Sequence, residues 1–192
     1  MDVQELTRQV EGKPAPVPLL ALQAFANTLD VETSTDLLDS PESFEDWLSR
    51  SGFAKKGLKV DPQALRRARR LRATVRELLI ANERGTRNRK AEAALARLAS
   101  TSQASLAADD EGRLGPDLAP LASAEELIGR LLTVILYAQA TGTWERLKLC
   151  ENPECLWAFY DSSRNRSGSW CRSGLCGNRL KNRAYRDRQR SL

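Results

Sequence analysis

The chain contains no histidine. That absence excludes imidazole bases, histidine-ligated metals and histidine pH switches. No apolar run approaches the ~20 residues that a bilayer-spanning helix needs, so no membrane span is expected. The first ten residues include Asp2 and Glu5 and lack an apolar core behind a basic start, so no signal peptide is expected there. A cytoplasmic, reducing setting follows as an expectation, in which thiols persist and bind metal rather than pair. Glycine-rich phosphate loops, nucleophile motifs and C-x-x-C redox pairs are also missing, which argues against an enzyme. Internal repeats and low-complexity tracts are absent as well.

What is present is unevenly distributed. The 192 residues, 41% of them apolar, suffice for one compact domain with an appendage or for two small domains. Residues 1–149 carry 21 basic and 21 acidic side chains, whereas residues 150–192 carry nine basic against four acidic, so the whole net charge of +5 lies at the C-terminal end. All four cysteines, Cys150, Cys155, Cys171 and Cys176, share that stretch. The coincidence divides the chain into a helical domain, residues 1–147, and a cysteine-bearing module, residues 148–192.

In the first domain, apolar residues from Leu19 to Leu29 recur at helical spacing. Ser40-Pro41 and Asp61-Pro62 each pair an N-cap with a proline at the first helical position. The helix opened by Pro62 runs to about Arg84, with Gly85 as its stop. An alanine-rich helix follows over about 88–100. The stretch around Asp109-Asp110-Glu111-Gly112 reads as the turn of a small hairpin rather than as a cation site. Ser123 and Glu126 suggest a capping box opening a last helix, whose nearly all-apolar body implies a buried, central element. Arg66, Arg67, Arg69, Arg70, Arg72 and Arg76 crowd one helix; they are expected to form its solvated side, with a nucleic-acid face as the alternative. The fold class expected is mainly α with a small β-hairpin, completed by a treble-clef-like zinc module.

The cysteines are spaced Cys150-x4-Cys155 and Cys171-x4-Cys176, with fifteen residues between the pairs. Two thiolate pairs on two tight turns can close a tetrahedron around Zn2+, and four thiolates leave no open position for catalysis. An iron–sulfur cluster and two disulfides are the alternatives open at this stage. Between the pairs, the strand from Leu156 to Tyr160 is expected to form a hairpin with residues 167–170, around a turn at Asp161 to Arg166. A helix is expected from about Ser173 to Arg190, with Cys176 in its first turn. Arg179, Lys181, Arg183, Arg186 and Arg190 make that helix strongly basic, and Asn178 lies beside them. Arginine pairs with phosphates and guanine edges, so the helix is the candidate nucleic-acid surface.

Cys176-Gly177-Asn178-Arg179 spells CGNR. It follows Phe159-Tyr160-Asp161-Ser162-Ser163-Arg164-Asn165 and Trp170-Cys171. This stretch resembles the CGNR zinc finger, and the upstream part is similar to the ABATE-type domain that precedes it, on Asn27-Thr28, Trp47-Leu48 and the hairpin before the last long helix. Arg172-Ser173 departs from the Ser-Met common in the family. The resemblance implies a stress-induced bacterial transcription regulator that binds DNA through its zinc module. It singles out Gly177, Asn178, Asp161 and Arg164 as structural motif residues, with Asn178 holding the Asp161–Arg164 turn or reading a base, and Arg179 pairing with Asp161 or touching DNA.

The function expected is therefore DNA-binding regulation, with a small-molecule effector or a homodimer interface assigned to the helical domain. Two other readings stay open. One is a small-molecule-binding or enzymatic helical domain with the zinc module as a clasp. The other is an RNA-binding zinc protein whose aromatic residues stack on bases.

Overall fold

The computed structural model describes residues 1–178 and 189. Six α-helices and three two-stranded antiparallel sheets make up the regular structure among them. In chain order these are α1 (Val3–Val10), α2 (Leu19–Ala26), β1 (Leu29–Asp30), β2 (Thr35–Asp36), α3 (Pro41–Arg50), α4 (Pro62–Arg84) and α5 (Arg89–Ala99). Then come β3 (Leu106–Ala108), β4 (Leu114–Pro116), α6 (Glu126–Ala140), a 3₁₀ turn (Trp144–Arg146), β5 (Leu147–Leu149), β6 (Ala158–Tyr160) and a π-helical turn (Ser173–Gly177). Among the described residues, no helix is long and apolar enough to cross a membrane.

The helix starts follow their local chemistry. Ser40 and Ser43 form a reciprocal capping box at α3, and the Asp61 carboxylate accepts from the Gln63 and Ala64 N–H groups at α4. Asn88 caps α5 through the Ala91 N–H. Gly85, in the left-handed conformation at φ 61°, stops α4. The anticipated hairpin forms as β3 and β4, with Gly112 in its turn.

The core is centred on α2, all eight residues of which are buried. A helix apolar on every side needs neighbours on every side, and α1, α4, α6 and β6 supply them. Beside it, Trp47 stacks on Phe44 at 6.0 Å between ring centroids and meets Phe53 at 5.1 Å and Phe25 at 6.1 Å. Its indole N–H donates to Gln9 Oε1 at 3.1 Å.

One element is added to the expectations from the sequence and three are corrected. The α1 segment, Val3–Val10, is an additional helix: its short Leu6/Val10 stripe becomes legible only when α2 lies against it. The Ser123–Glu126 capping box does not form. Leu121 is pinned through its N–H to Phe53 O at 2.7 Å, and the Glu126 carboxylate reaches back to the Ala122 N–H instead. α6 is buried along most of its length as expected, but α2 is the more enclosed helix, since Leu136 and Tyr137 of α6 face outward at 66% and 41% exposure. The arginine run on α4 is not simply a solvated side either. Arg72 is buried against Asp36, with both bonds at 2.6–2.7 Å, and Arg76 is buried among backbone carbonyls. Arg76 points inward because carbonyls at and beyond the C-terminal end of α2 need donors, and Arg72 because the Asp36 carboxylate and Thr28 Oγ1 accept from it.

Candidate metal centre

β5 leads directly into Cys150. The chain then turns tightly: Cys150 N–H donates to Trp157 O, and the Cys155 and Leu156 N–H groups both donate to Asn152 O. Leu156 sits at φ 50°, which lets the chain reverse so sharply. The strand leaving this turn is β6, and it pairs with β5 in register Leu147–Tyr160, Lys148–Phe159 and Leu149–Ala158. The expected hairpin with residues 167–170 is thereby corrected. The strand partner precedes the first cysteine, and the two-cysteine turn is itself the hairpin loop. Residues 167–170 form no strand, although Ser169 O accepts the Glu151 N–H at 2.9 Å.

The second pair comes from the π-helical turn and the residues before it. Cys176 N–H donates to Arg172 O, drawing Cys176 back towards Cys171. Gly177 lies flat on the Trp170 ring, where a Cβ would meet the ring at 3.0 Å. This close approach accounts for glycine next to the last cysteine.

All four Sγ atoms lie within 4.8 Å of one another and all four cysteines are buried. Cys155 and Cys171 are 3.6 Å apart at sulfur, and Cys171 and Cys176 are 3.7 Å apart. A tetrahedron with Zn–S bonds of ~2.3 Å has sulfur–sulfur edges of about 3.8 Å, so the spacing matches a four-cysteine zinc site. It is far too long for disulfides, and all four thiols are free. The donor set suits a soft cation. Cys150 accepts hydrogen bonds from Cys155 and Cys171, which pushes its pKa far down. The Cys155 and Cys171 thiols are pushed up by donating to that thiolate, aided for both by burial. Only a positive ion at the centre lets all four sulfurs carry charge together.

The motif residues around the centre form a buried polar brace. Asp161 is 2% exposed and Lys148 is 4% exposed. Lys148 Nζ donates to Asp161 Oδ2 at 2.9 Å and to the Arg166 and Gly168 carbonyls. Asp161 also accepts from the Ser163 and Gly168 N–H groups. Burial works to raise its pKa, but the bonds from Ser163, Lys148 and Gly168 outweigh it and leave it at about 2. The cation held by Asp161 is therefore Lys148; Arg164 lies exposed in the turn. Asn178 is exposed at the end of the π-helical turn. Arg179, Lys181, Arg183, Arg186 and Arg190, the candidate nucleic-acid contacts, lie outside the described residues, as does most of the helix expected over 173–190.

Residues 20–141 match the ABATE family model, described as "Putative stress-induced transcription regulator". That is more than half of the chain. The protein belongs to the ABATE family. Residues 146–189 match the CGNR zinc finger, which makes the four-cysteine centre a zinc site by its donors and by its family. No curated protein matches the chain.

The ABATE region and the finger are joined by polar contacts at β6. The Asn27 side chain both accepts from Ala158 N–H at 2.7 Å and donates to Ala158 O at 3.0 Å, like a neighbouring strand. Gln23 adds a bond to the same carbonyl at 3.1 Å. Arg76 donates to Ala26 O and Leu29 O with one nitrogen and to Leu156 O with another, tying α2 to the cysteine turn. Desolvation on burial lowers its pKa to about 10, still far above neutrality, so the link stays charged. From the segment between α1 and α2, Lys13 donates to Trp170 O at 2.7 Å and lies 4.9 Å from the Phe159 ring centroid. Trp157 Nε1 donates to Val10 O, and Glu11 pairs with Arg172. On the body side of this joint the sequence marks Asn27, through its Asn27-Thr28 pair, and Arg76 only as a member of the arginine run. Thr28 Oγ1 accepts from Arg72 at 3.0 Å, so both members of that pair hold the frame.

Proposed function

We propose that this ABATE protein is a DNA-binding transcription regulator of the bacterial cytoplasm, acting by binding rather than by catalysis. The observation that carries the proposal is the charge. The net +5 belongs entirely to residues 150–192, where a zinc site orders the chain immediately before Arg179, Lys181, Arg183, Arg186 and Arg190. A neutral body bearing one basic module suits a phosphate-contacting surface. The family's description as a transcription regulator supports the same assignment. Association as a homodimer would raise the modest affinity of one short module.

The test is binding of fluorescently labelled duplex DNA by the zinc-loaded protein across a salt series. Affinity is expected to fall steeply as salt rises. The double substitution Arg183→Glu with Arg186→Glu is expected to abolish binding while the zinc content stays at one per chain. Zinc loss in that variant would make those arginines structural. Indifference of the wild-type protein to DNA at low salt, or a clear preference for RNA, would overturn the proposal.

A further inference from the structure

A second site lies on the helical body, away from the zinc. α5 and α6 both pack on α4, and between them a cleft of about 770 Å³ remains open. That volume falls within the range of small-molecule sites, roughly 300–1,000 Å³. Its floor is apolar and rigid: Leu78 and Ala81 from α4, Ile135 from α6, and Trp144 are all buried. One wall carries Leu95, Ala96 and Ala99 from α5, and the other carries Leu132 and Leu136 from α6. At the far end residue 103 crosses α6, so tightly that a Cβ at Gly129 would meet Gln103 O at 1.8 Å.

Two features indicate what the cleft would hold. Trp144 is only 7% exposed, yet among the described residues its indole N–H has no acceptor, whereas that of Trp47 does. No group among the described residues competes for that donor, so a ligand oxygen or nitrogen in the cleft can take it in place of water. The second feature is charge. Arg87 and Glu92 at the rim neutralise each other through two bonds at 2.6–2.9 Å, which leaves Glu145 as the unpaired charge among the charged lining residues. An anionic ligand is disfavoured there.

We propose that the α5–α6 cleft is a binding site for a small, largely apolar molecule, neutral or singly cationic, that offers a hydrogen-bond acceptor to Trp144. The occupant is a small molecule rather than a second chain, because the concavity has a floor between two walls and a volume within the small-molecule range. The cleft also adjoins the finger. Asn82, on its α4 side, donates to Trp144 O and Leu147 O, and Leu147 begins the strand that runs into Cys150. Occupancy is thereby placed beside the segment that leads into the metal site. The site does not depend on the finger binding DNA.

The experiment uses the zinc-loaded full chain and the neutral probe N-phenyl-1-naphthylamine, whose emission rises in apolar surroundings. One saturable site per chain is expected. Ala99→Trp and Leu136→Lys, exposed positions on opposite walls, are each expected to weaken it at least tenfold, with zinc content and melting temperature unchanged. Leu114→Lys, on the exposed β3–β4 hairpin, is expected to leave it unaltered. The sulfonated analogue 1-anilinonaphthalene-8-sulfonate is expected to bind at least tenfold more weakly, judged by the signal that Ala99→Trp removes. The proposal is overturned by the absence of saturable binding, or by loss in Leu114→Lys with retention in both cleft variants. Sedimentation as a dimer that the probe dissociates would also overturn it, since a second copy would then cover the cleft.

Discussion

The helical body and the zinc finger solve the same problem with different materials. The body buries a continuous core in which α2 is surrounded and the Phe25, Phe44, Trp47 and Phe53 rings interlock. The finger has little apolar matter of its own: Phe159 is fully buried beside the four cysteines, with Trp157 and Trp170 only partly covered. It compensates with a metal, a buried ion pair and backbone bonds donated by the body. A segment this small does not stabilise itself by hydrophobic burial alone. The comparison therefore teaches that the finger's order is conditional on zinc and on α2, whereas the body's order rests on packing.

Removing zinc is the sharpest way to break this comparison, and it carries the largest expected effect. Structural zinc contributes about 10–16 kcal/mol of apparent binding free energy in small fingers. Stripping the metal with a chelator, or substituting Cys171→Ser, is expected to abolish the near-ultraviolet circular dichroism of Trp157 and Trp170. The far-ultraviolet helical signal is expected to survive, because the core around α2 contains no cysteine. Collapse of both signals together would show that body and finger form one cooperative unit.

Asp161→Asn probes the finger's internal brace and should have the next largest effect. It leaves Lys148 buried without its counter-charge, a change that typically costs about 3–5 kcal/mol. Denaturant unfolding of the zinc-loaded protein measures it. The pH dependence has a definite sign. The Asp161 pKa is depressed to about 2 from an ordinary value of about 3.9, so its stabilisation is complete above that ordinary value and is lost as pH falls towards 2. The gap between wild type and Asp161→Asn is expected to close over that interval. A gap that narrows already above that ordinary value, where the carboxylate stays ionised, would show that the carboxylate's charge is not what holds Lys148.

These residues also show where the sequence is transparent. The caps at Ser40, Asp61 and Asn88 act within one helical turn, so local chemistry alone reveals them. The four-cysteine centre is equally legible, because two short cysteine pairs carry their chemistry in their spacing. Long-range choices are not. Nothing local distinguishes Arg72 and Arg76 from the solvated arginines beside them; only the carbonyl-rich end of α2 and Asp36 draw them inward. The partner of β6 differs from the expected one for a related reason. A three-residue strand has too weak a pattern to choose between neighbours, and the turn at Cys150–Leu156 makes that choice. Lys148 is only 4% exposed, and Asp161 together with the Arg166 and Gly168 carbonyls, distant in sequence, explains it.

The joint between the two regions gives the smallest expected effect and the most discriminating one. Asn27→Ala removes both bonds to Ala158 and leaves its buried N–H without an acceptor, while Gln23 still serves the carbonyl. Leaving one buried donor unsatisfied costs about 1–3 kcal/mol. If the finger depends on the body as the contacts imply, this loss will appear mainly as faster zinc release to a chromogenic chelator, with the melting of the helical signal shifted much less. Gln23→Ala should act in the same direction but also disturb Lys13 O and Ala15 N–H, which the same side chain bonds. A greater loss of helix stability than of zinc retention in Asn27→Ala would mean that β6 supports α2 rather than α2 supporting the finger.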